Sequence, residues 1–413
     1  MLSATSASLR HARRLFDNAA ILPPPLFAWN VLIRAYSKSS SAPIEAVNLF
    51  AALLRAPGAL RPDFFTYPFV FKACGRCSML GVGGSVHSLA LKAGFVSESH
   101  VRNTLLTMYG GCGVVESARK VFDEMSERDV VSWSSMIAAY VDSNLDSEAL
   151  RVFKNMTTMA NEKPNMVTCV SLLSACTNLF NTRLGKSVHS NIVISGMELH
   201  VGLGTALLSM YAKSGHLEEA LLVFNSIREK NLQSWTVMIS SLASNGRGDE
   251  ALSLFARMEE VGLIPDSMSF STALSACSHG GLVDEGKQLF EKMVSVYKIE
   301  PTMEHYGCMV DLFGRSGEME EAYRIIMSMP MEPNSVVLRS YLSACKLHGC
   351  AQRVDERLMG LLIELEPDVG ANYVLAAASG TGCNGMDNNV RKEMKIRGVE
   401  KVPGCSWVHA SSC

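Results

Sequence analysis

Apolar side chains recur along the chain at helical spacing, in runs that are separated by short polar turns. One such run is Leu105, Leu106, Met108 and Tyr109, and another is Val237, Met238, Ile239 and Leu242. Apolar residues three and four positions apart lie on one face of a helix. The pattern predicts a chain built of amphipathic helices that bury one face each.

A short signature follows each apolar run: a Gly, then Ala (once a second Gly) five residues later, then a large apolar residue four further on. The copies begin at Gly113, Gly215, Gly246, Gly281 and Gly317. Gly adopts the left-handed conformation that ends a helix, and acidic residues such as Glu116 and Glu218 suit the first turn of the next one. Prolines such as Pro164 and Pro265 then interrupt the helical pattern. The unit is therefore helix, turn, helix and linker.

The units themselves repeat with a longer period. The segment Asn103–Tyr109 is matched 102 residues later by Thr205–Tyr211, and Trp133 is matched by Trp235. A single helical hairpin cannot bury its apolar face alone, whereas stacked hairpins can. The predicted fold class is all-α, a right-handed superhelical α-solenoid of helix-turn-helix repeats.

Composition limits the classes of function. Of the 413 residues 48% are hydrophobic and 19% charged, with a formal net charge of −2, so nonspecific attraction to phosphate is not expected to dominate. No apolar run reaches membrane-spanning length, and we expect no membrane partner. Of the twelve cysteines, Cys74, Cys176, Cys277 and Cys345 follow Ala at equivalent places in the repeat. They are expected to be buried core residues of a protein from a reducing compartment.

The N-terminal residues allow two interpretations. Met1–Phe16 contains Arg10, Arg13 and Arg14 and no acid, a composition that permits an organelle transit segment. However, His11–Asp17 also copies the second-helix sequence Ser117–Asp123, which favours a partial repeat. The chain is then expected to start within a repeat.

One C-x-x-C and one H-x-E pattern suggest metal chemistry, and the repeat explains both better. Cys74 and Cys77 have zinc-ligand spacing, but no second ligand pair lies nearby and Cys74 is a core position. His216 and Glu218 match part of a zinc deaminase motif, but no P-C-x-x-C follows, and both stand at the start of a second helix. We expect no metal site, no cofactor and no intrinsic catalysis.

Several motifs occur in a diagnostic order. They are Val130–Ile137, Glu304–Tyr306, Met309–Leu312, Met329–Pro333, Leu365–Pro367, Asn372–Leu375 and Pro403–Trp407. In this order they resemble the plant pentatricopeptide repeat (PPR) proteins of the PLS subfamily, which alternate P, L and S units and carry a C-terminal E-type extension. The chain resembles a member without the catalytic DYW deaminase domain.

The resemblance divides the chain into three parts: a partial repeat or targeting remnant at 1–25, an array of P, L and S repeats at 26–334, and an E-type extension at 335–413. The units after the partial repeat begin at Leu26, Phe64, Ser99, Val130, Met166, Val201, Leu232, Ser267 and Met303, and the two extension units begin at Ser335 and Val369. The second extension unit departs from the family pattern, because Ala376–Gly385 is small and rich in Gly where the family has a firm apolar helix.

The resemblance also implies which residues read RNA, since in this family each unit reads one base through its fifth and last residues. Asn30 with Asp63 and Asn103 with Asp129 resemble the uracil-favouring pair; Ser134 with Asn165 and Thr205 with Asn231 resemble the adenine-favouring pair; Thr236 with Asp266 resembles the guanine-favouring pair. The L units carry Pro68, Val170 and Ser271 at the fifth position, and Pro68 and Val170 have no side chain that can hydrogen-bond a base. The implied ligand is 5′-U-N-U-A-N-A-G-N-N, parallel to the protein chain.

The physical basis of such reading is independent of the family. A residue that recurs once per hairpin forms a row along one face, and short polar side chains in that row can reach the edges of single-stranded bases. The alternative is that Asn, Ser and Thr near a helix start are simply N-caps. The family resemblance further implies that a second-position apolar residue wedges between bases, with Phe27 and Val131 as the candidates, and ordinary packing is the competing explanation.

The function predicted from the sequence is sequence-specific binding of single-stranded organelle RNA, as a site-recognition factor for C-to-U editing. By resemblance, the partners are a trans-acting DYW-type deaminase and organelle editing factors, and the location is the mitochondrion, or alternatively the chloroplast. RNA stabilisation or splicing shares every sequence feature. A protein-binding scaffold of tetratricopeptide type is the alternative from another class, and it would show carboxylate clamps of Lys and Arg instead of paired Asn, Ser, Thr and Asp.

Overall fold

The computed structural model describes residues 6–17, 24–56, 60–349, 355–379 and 386–400. In this part of the chain the regular structure is helical, and the predicted all-α class of helix-turn-helix repeats is confirmed. The chain divides into two compact units, Met1–Ser214 and Gly215–Cys413. The extension motif Pro403–Trp407 and the glycine-rich part of Ala376–Gly385 beyond Ser379 lie outside the described residues.

The first compact unit is a stack of helix pairs. Its helices are α1 (Ser6–Asp17), α2 (Leu26–Lys38), α3 (Ile44–Arg55), α4 (Thr66–Arg76), α5 (Leu80–Lys92), α6 (Ser99–Gly111), α7 (Val115–Asp123), α8 (Val130–Asp142), α9 (Asp146–Thr158), α10 (Met166–Asn178), α11 (Thr182–Ile194) and α12 (Val201–Lys213). From α2 onward the even-numbered helices are the first helices of the repeats, and from α2 to α10 each packs on the next even-numbered helix. The second helices from α3 to α9 fill the spaces between consecutive first helices, so the unit has two layers.

The second compact unit has the same construction. Its helices are α13 (Leu217–Ser226), α14 (Leu232–Ser244), α15 (Gly248–Glu260), α16 (Ser267–Gly280), α17 (Val283–Ser295), α18 (Met303–Ser316), α19 (Met319–Ser328), α20 (Ser335–Leu347), α21 (Glu356–Leu365), α22 (Gly370–Ser379) and α23 (Met386–Ile396). The first helices α14, α16, α18, α20 and α22 pack on one another in chain order. The extension therefore adds helices to the stack by the same packing as the repeats.

The turn signature works as its sequence predicts. The first Gly of every copy has a positive φ: Gly113, Gly215, Gly246, Gly281 and Gly317. The following Ala is fully buried at Ala118, Ala220 and Ala251. In the copy where Gly286 replaces this Ala, a Cβ atom would come within 2.3 Å of Leu312 Cδ2. The glycine is therefore required by the close approach of α17 to a leucine of α18.

An aromatic pair joins the second helix of two S units to the next first helix. The rings of Phe122 and Trp133 meet edge to face with centroids 5.0 Å apart, and those of Phe224 and Trp235 do so at 5.1 Å. Edge-to-face aromatic pairs stabilise packing beyond the area they bury. The period of 102 residues in the sequence thus corresponds to a repeated packing contact.

The same aromatic contact occurs at the N-terminus. Phe16 of α1 meets Trp29 of α2 edge to face at 4.7 Å. Arg13 pairs with Asp17 at 2.8 Å, the equivalent of the Arg119–Asp123 pair at 2.8 Å in α7. α1 thus makes two of the contacts that the second helix α7 makes.

A histidine–tyrosine pair recurs where an L unit meets an S unit. His87 Nδ1 lies 2.9 Å from the Tyr109 hydroxyl, and His189 Nδ1 lies 2.9 Å from the Tyr211 hydroxyl. Burial lowers the pKa of both histidines, although Glu124 opposes the shift at His87. The neutral imidazole is therefore the form that the fold favours. At the third such junction the sequence has Phe290 in the histidine position.

A loss of stability in mild acid follows from these two histidines. A depressed pKa in the folded state means that the unfolded chain binds more protons below the ordinary histidine pKa of about 6.5, so stability falls as the pH drops through that value. Free energies of unfolding measured by urea titration between about pH 7.5 and 5.5 should show this decline. The double variant His87→Phe, His189→Phe, which places at both junctions the residue type found at Phe290, should have a flatter profile. An unchanged profile would contradict the assignment.

Candidate nucleic-acid interface

At several of the predicted junctions the last residue of a unit caps the first helix of the next unit. The side chain of Asp129 accepts a hydrogen bond from Ser132 N at 2.8 Å, and that of Asn165 accepts one from Thr168 N at 2.9 Å. Asn231 and Asp266 cap α14 and α16 in the same way. A side-chain oxygen at this place satisfies a backbone N–H that would otherwise lack a partner in the helix. These four last residues are therefore N-caps, as the alternative explanation proposes. The fifth residues lie one turn inside their helices and are not N-caps.

Asn30, Asp63 and Thr66 form the first of a series of clusters. Asn30 Nδ2 donates to both carboxylate oxygens of Asp63 at 3.1 and 3.2 Å. The Thr66 hydroxyl lies 2.7 Å from Asn30 Oδ1 and 2.8 Å from Asp63 Oδ1. The fifth residue of one unit, its last residue, and the third residue of the next unit are thus tied together.

Asn103, Asp129 and Ser132 repeat this arrangement. Asn103 Nδ2 donates to Asp129 Oδ1 at 3.2 Å, and the Ser132 hydroxyl lies 2.8 Å from both Asn103 Oδ1 and Asp129 Oδ1. Burial pushes the pKa of Asp129 up, but hydrogen bonds from Ser132, Asn103 and the Val131 amide outweigh it, so the pKa lies below its ordinary value. Asp129 is therefore a charged acceptor that fixes the orientation of the Asn103 amide.

Ser134, Asn165 and Thr168 form the third cluster, with a hydroxyl in place of the amide. Ser134 Oγ lies 3.2 Å from Asn165 Oδ1 and 2.8 Å from Thr168 Oγ1, and it also contacts the carbonyl of Val130 at 2.6 Å. Thr168 and Asn165 complete a reciprocal capping box. The hydroxyl of Ser134 is held as firmly as the amide of Asn103.

Thr236, Asp266 and Ser269 form the fourth cluster, and here the third residue acts as a bridge. Thr236 Oγ1 lies 3.2 Å from Ser269 Oγ, which donates to Asp266 Oδ1 at 2.7 Å. The carbonyl of Leu232, 2.9 Å from Thr236 Oγ1, is a second acceptor that competes for the same hydroxyl proton. Below, "reading clusters" denotes these four sets of three residues.

Thr205 and Asn231 belong to different compact units. Thr205 is buried in α12 of the first unit, and Asn231 accepts hydrogen bonds from the backbone and hydroxyl of Ser234 in the second. Thr205 is thus the fifth residue of α12, and Asn231 is the N-cap of α14.

The members of the reading clusters differ in how much of each meets solvent. The side chains of Asn103 and Ser134 are buried, with 7% and 3% exposed, whereas Asp129 and Asp266 are exposed. Held donors and acceptors of this kind cost little further ordering when a ligand binds. Each cluster can therefore offer a nucleobase a hydrogen-bond donor or acceptor in a fixed position, once per hairpin.

The predicted wedge residues are exposed apolar side chains. Phe27 is 76% exposed and Val131 is 52% exposed. Phe65, Val167 and Met268 occupy the same second position in their units and are also exposed. Since large apolar residues at a helix start are not buried here, ordinary core packing does not account for them.

The L units present a different fifth residue. Pro68 and Val170 offer no polar side-chain atom, as the sequence predicts. Ser271 is 9% exposed, and its hydroxyl has no hydrogen-bond partner within the described part of the protein. The clusters therefore recur at P and S units, with apolar or unpaired positions between them.

In four units the third residue is a cluster member that was not predicted from the sequence. Thr66, Ser132, Thr168 and Ser269 each follow a capping Asp or Asn by three positions. That spacing is a known helix-start signal, in which the two side chains bond each other's backbone. The spacing is visible in the sequence and identifies the third residue as the group that links fifth and last residues.

The cysteine pair with zinc-ligand spacing is part of the core. Cys74 is fully buried, and burial raises the pKa of its thiol to about 12, with smaller contributions from Cys112 and Cys77. Zinc binds the thiolate, which this environment disfavours. Within the described residues no group of three or more His, Cys, Asp or Glu side chains is placed to hold a metal.

Helix length and charge set two further limits on the kinds of partner. No described helix combines the length and the apolar character needed to cross a bilayer. The polar side chains of the reading clusters are short, and most are neutral. Lysine and arginine are not members of these clusters, so the carboxylate clamp expected of a peptide groove does not occur at them.

Family models match the chain at its repeats and its extension. The PPR repeat model matches residues 101–130, 131–159, 205–232, 268–296 and 304–332, a second PPR repeat family matches residues 230–279, and the E motif matches residues 354–409. The boundary between the matches at 101–130 and 131–159 falls within one residue of the unit junction at Asp129.

Curated relatives extend over nearly the whole chain. Three pentatricopeptide repeat-containing proteins of Arabidopsis thaliana are 37%, 38% and 36% identical over 97%, 98% and 98% of this chain, which covers 64%, 65% and 82% of their lengths. The second of these carries the description chloroplastic/mitochondrial. The chain thus spans a little under two thirds of the first two relatives.

Solved structures with the same fold include the pentatricopeptide repeat protein PPR10 in complex with an 18-nucleotide psaJ RNA element. It matches with a TM-score of 0.70 at 19% identity, over 97% of this chain and 59% of that protein. A second structure, that of PPR10 from maize, matches with a TM-score of 0.57 at 18% identity, over 96% of this chain and 62% of that protein. At this identity the likeness concerns the fold.

Proposed function

Because the chain belongs to the pentatricopeptide repeat family and carries its E motif, we propose that it binds single-stranded RNA and reads it at about one base per helical hairpin. The observation that carries the proposal is the recurrence of the reading clusters. Their geometry is shared from junction to junction, while the fifth residue changes from Asn to Ser to Thr. To read a different base at each hairpin, the hydrogen-bonded arrangement has to stay constant while the polar atom of the fifth residue changes.

The proposed ligand is 5′-U-N-U-A-N-A-G-N-N. Asn30 and Asn103 each offer an amide that is oriented by an aspartate, and both are assigned to uracil. Ser134 and Thr205 are assigned to adenine, and Thr236 is assigned to guanine. Phe27 and Val131 are exposed apolar side chains that can stack on a base or insert between two neighbouring bases.

The biological role that we propose is that of a site-recognition factor for C-to-U editing in an organelle, with the mitochondrion as the first choice and the chloroplast as the second. The E motif and the plant relatives support this role. Such a factor would position the transcript and recruit a DYW-type deaminase and other editing factors in trans. Stabilisation or splicing of an organelle RNA is compatible with the same clusters.

The test of RNA reading is binding of the purified chain to an RNA that contains the proposed sequence. A scrambled RNA of the same composition is the control. Each misread base is expected to cost about 1 kcal/mol, or roughly fivefold in affinity, so several misread bases should weaken binding by more than about a hundredfold. Equal affinity for the two RNAs would defeat the base-reading proposal.

Editing is tested separately, in plant cells whose organelles express a reporter transcript that contains the proposed sequence. Loss of the chain should abolish C-to-U conversion near that sequence if the chain is an editing factor. A fall in transcript level or splicing with conversion unaffected would assign the other role.

A further inference from the structure

A charged version of the reading cluster occurs in the extension. Arg339 Nη1 donates to Glu366 Oε2 at 2.5 Å, and Asn372 Nδ2 donates to the same oxygen at 2.9 Å. The Ser335 hydroxyl donates to Glu366 Oε1 at 2.6 Å. We call Arg339, Glu366 and Asn372 the ionic cluster.

The ionic cluster occupies the same helix positions as the neutral clusters. Arg339 is the fifth residue of α20, as Asn103 is of α6, and Asn372 is the third residue of α22, as Ser132 is of α8. A carboxylate from the intervening segment joins them in both cases, although Asp129 stands three residues before Ser132 and Glu366 six residues before Asn372. The extension thus also links a fifth residue through a carboxylate to the third residue of the next first helix, but its fifth residue is an arginine.

The change from a short neutral side chain to arginine alters what the cluster can bind. An asparagine or serine side chain offers donors and acceptors, whereas a guanidinium has five N–H donors and no acceptor. Hydrogen bonds from Ser335 and Asn372 hold the pKa of Glu366 below its ordinary value, so the partner of Arg339 is ionised. Arg339 is 37% exposed, and its bonds to Glu366 and Ser335 use two of its five N–H donors, which leaves others for a ligand.

A cavity of about 430 Å³ lies in front of this arginine, between α18 and α20. Its polar lining consists of Arg339, Arg315, Ser340, Ser343 and the carboxylate of Asp311, and Val336 is among its apolar lining residues. Arg315 is half exposed and donates to Asp311 at 2.8 Å, while Asp311 also accepts from Ser278. Two guanidinium groups therefore line one open cavity.

The apolar second position also recurs beside this cavity. Val336 is 56% exposed, close to the value for Val131, and both are the second residue of a first helix. The extension surface therefore repeats the exposed apolar residue and the fifth-position cluster of the repeats, and differs in carrying arginine.

We infer that Arg339, together with Arg315, binds the phosphate backbone of the RNA just 3′ of the nine-nucleotide sequence that the repeats read. The inference rests on the proposed function, because a chain parallel to its RNA places the extension at the 3′ end. The planar guanidinium group of arginine has only N–H donors, and two of them can bind two oxygens of one phosphate. The contact adds affinity without adding base preference.

The experiment compares a nine-nucleotide RNA with the same RNA extended by five nucleotides at its 3′ end. The unaltered protein should bind the extended RNA about tenfold more tightly, and Arg339→Gln should lose most of this gain. The slope of log affinity against log salt concentration for the extended RNA should fall by about 0.7 in the variant, which corresponds to one phosphate contact. Arg339→Lys, which keeps the charge, should retain part of the gain.

The matched control is Arg324→Gln. Arg324 pairs with Glu321 on α19, a second helix, and its replacement changes the net charge by the same amount. It should leave the gain from the 3′ extension intact. An RNA extended at its 5′ end should bind Arg339→Gln and the unaltered protein alike.

Failure of the phosphate site and failure of the proposed function give different results. No gain from the 3′ extension, or an Arg339→Gln variant that behaves like Arg324→Gln, would overturn the phosphate site. A gain that depends on guanine at the first flanking nucleotide would also overturn it, in favour of base reading. Discrimination between the nine-nucleotide RNA and its scrambled control tests the repeats alone, and thermal unfolding of Arg339→Gln verifies that the variant is folded.

Discussion

Asn103→Thr is expected to change the preferred third nucleotide of the RNA from uracil to guanine. The cluster around Asn103 contains Asp129 and Ser132, and the cluster around Thr236 contains Asp266 and Ser269, so the two differ only in the fifth residue. One substitution therefore converts the first set of polar atoms into the second. Affinity for the RNA with guanine at position three should rise roughly tenfold relative to the RNA with uracil, as measured by fluorescence anisotropy.

Preference at the other eight nucleotides should stay the same in this variant. Thr104→Ala is the matched control, because Thr104 lies on the same helix and, among the described residues, its hydroxyl bonds to the carbonyls of His100 and Val101 of that helix alone. A uniform loss of affinity for all RNAs in Asn103→Thr would indicate damage to the fold, and no change at nucleotide three would remove Asn103 from the base-reading row.

Trp133→Ala is expected to lower the free energy of unfolding by about 3 to 5 kcal/mol, a large effect for a single substitution. The indole is 7% exposed and packs edge to face on Phe122, so its removal leaves a cavity between α7 and α8. Trp133→Phe should cost much less. A phenyl ring preserves the aromatic contact, and the Trp133 Nε1 group has no hydrogen-bond partner to lose within the described part of the protein.

Urea unfolding of the unaltered protein and the two variants measures this difference. Trp235→Ala serves as the parallel case, since Trp235 makes the same edge-to-face contact with Phe224 in the second compact unit. Similar losses for the two alanine variants would support a shared packing unit. A Trp133→Phe variant as unstable as Trp133→Ala would show that the indole contributes through something other than ring packing.

Helix positions followed closely from the sequence because their signals are local. The first helices begin at Ser99, Val130, Met166 and Leu232, the residues at which the predicted units begin. A capping Asp or Asn stands just before most of these starts, and such residues act on the backbone within a few positions. At the unit that begins at Phe64 the helix starts two residues later, at Thr66, because Asp63 bonds the N–H groups of both Phe65 and Thr66.

The clusters could be predicted only in part, because they join residues that are far apart in the chain. Ser134 and Thr168 are 34 positions apart, and Arg339 and Glu366 are 27 apart. Their contacts depend on how one hairpin packs on the next, which helical periodicity does not specify. The sequence identified the fifth and last residues through the family pattern, while the role of the third residue and the ionic cluster emerged from the packing.

Polar atoms at the fifth positions of the P and S units are proposed to determine which bases bind. The most direct measurement is the affinity of the unaltered protein for every single-base variant of 5′-U-N-U-A-N-A-G-N-N. We expect losses at nucleotides one, three, four, six and seven, and tolerance at nucleotides two and five, which face Pro68 and Val170. Equal sensitivity at all nine nucleotides, or the strongest losses at two and five, would contradict this mode of reading.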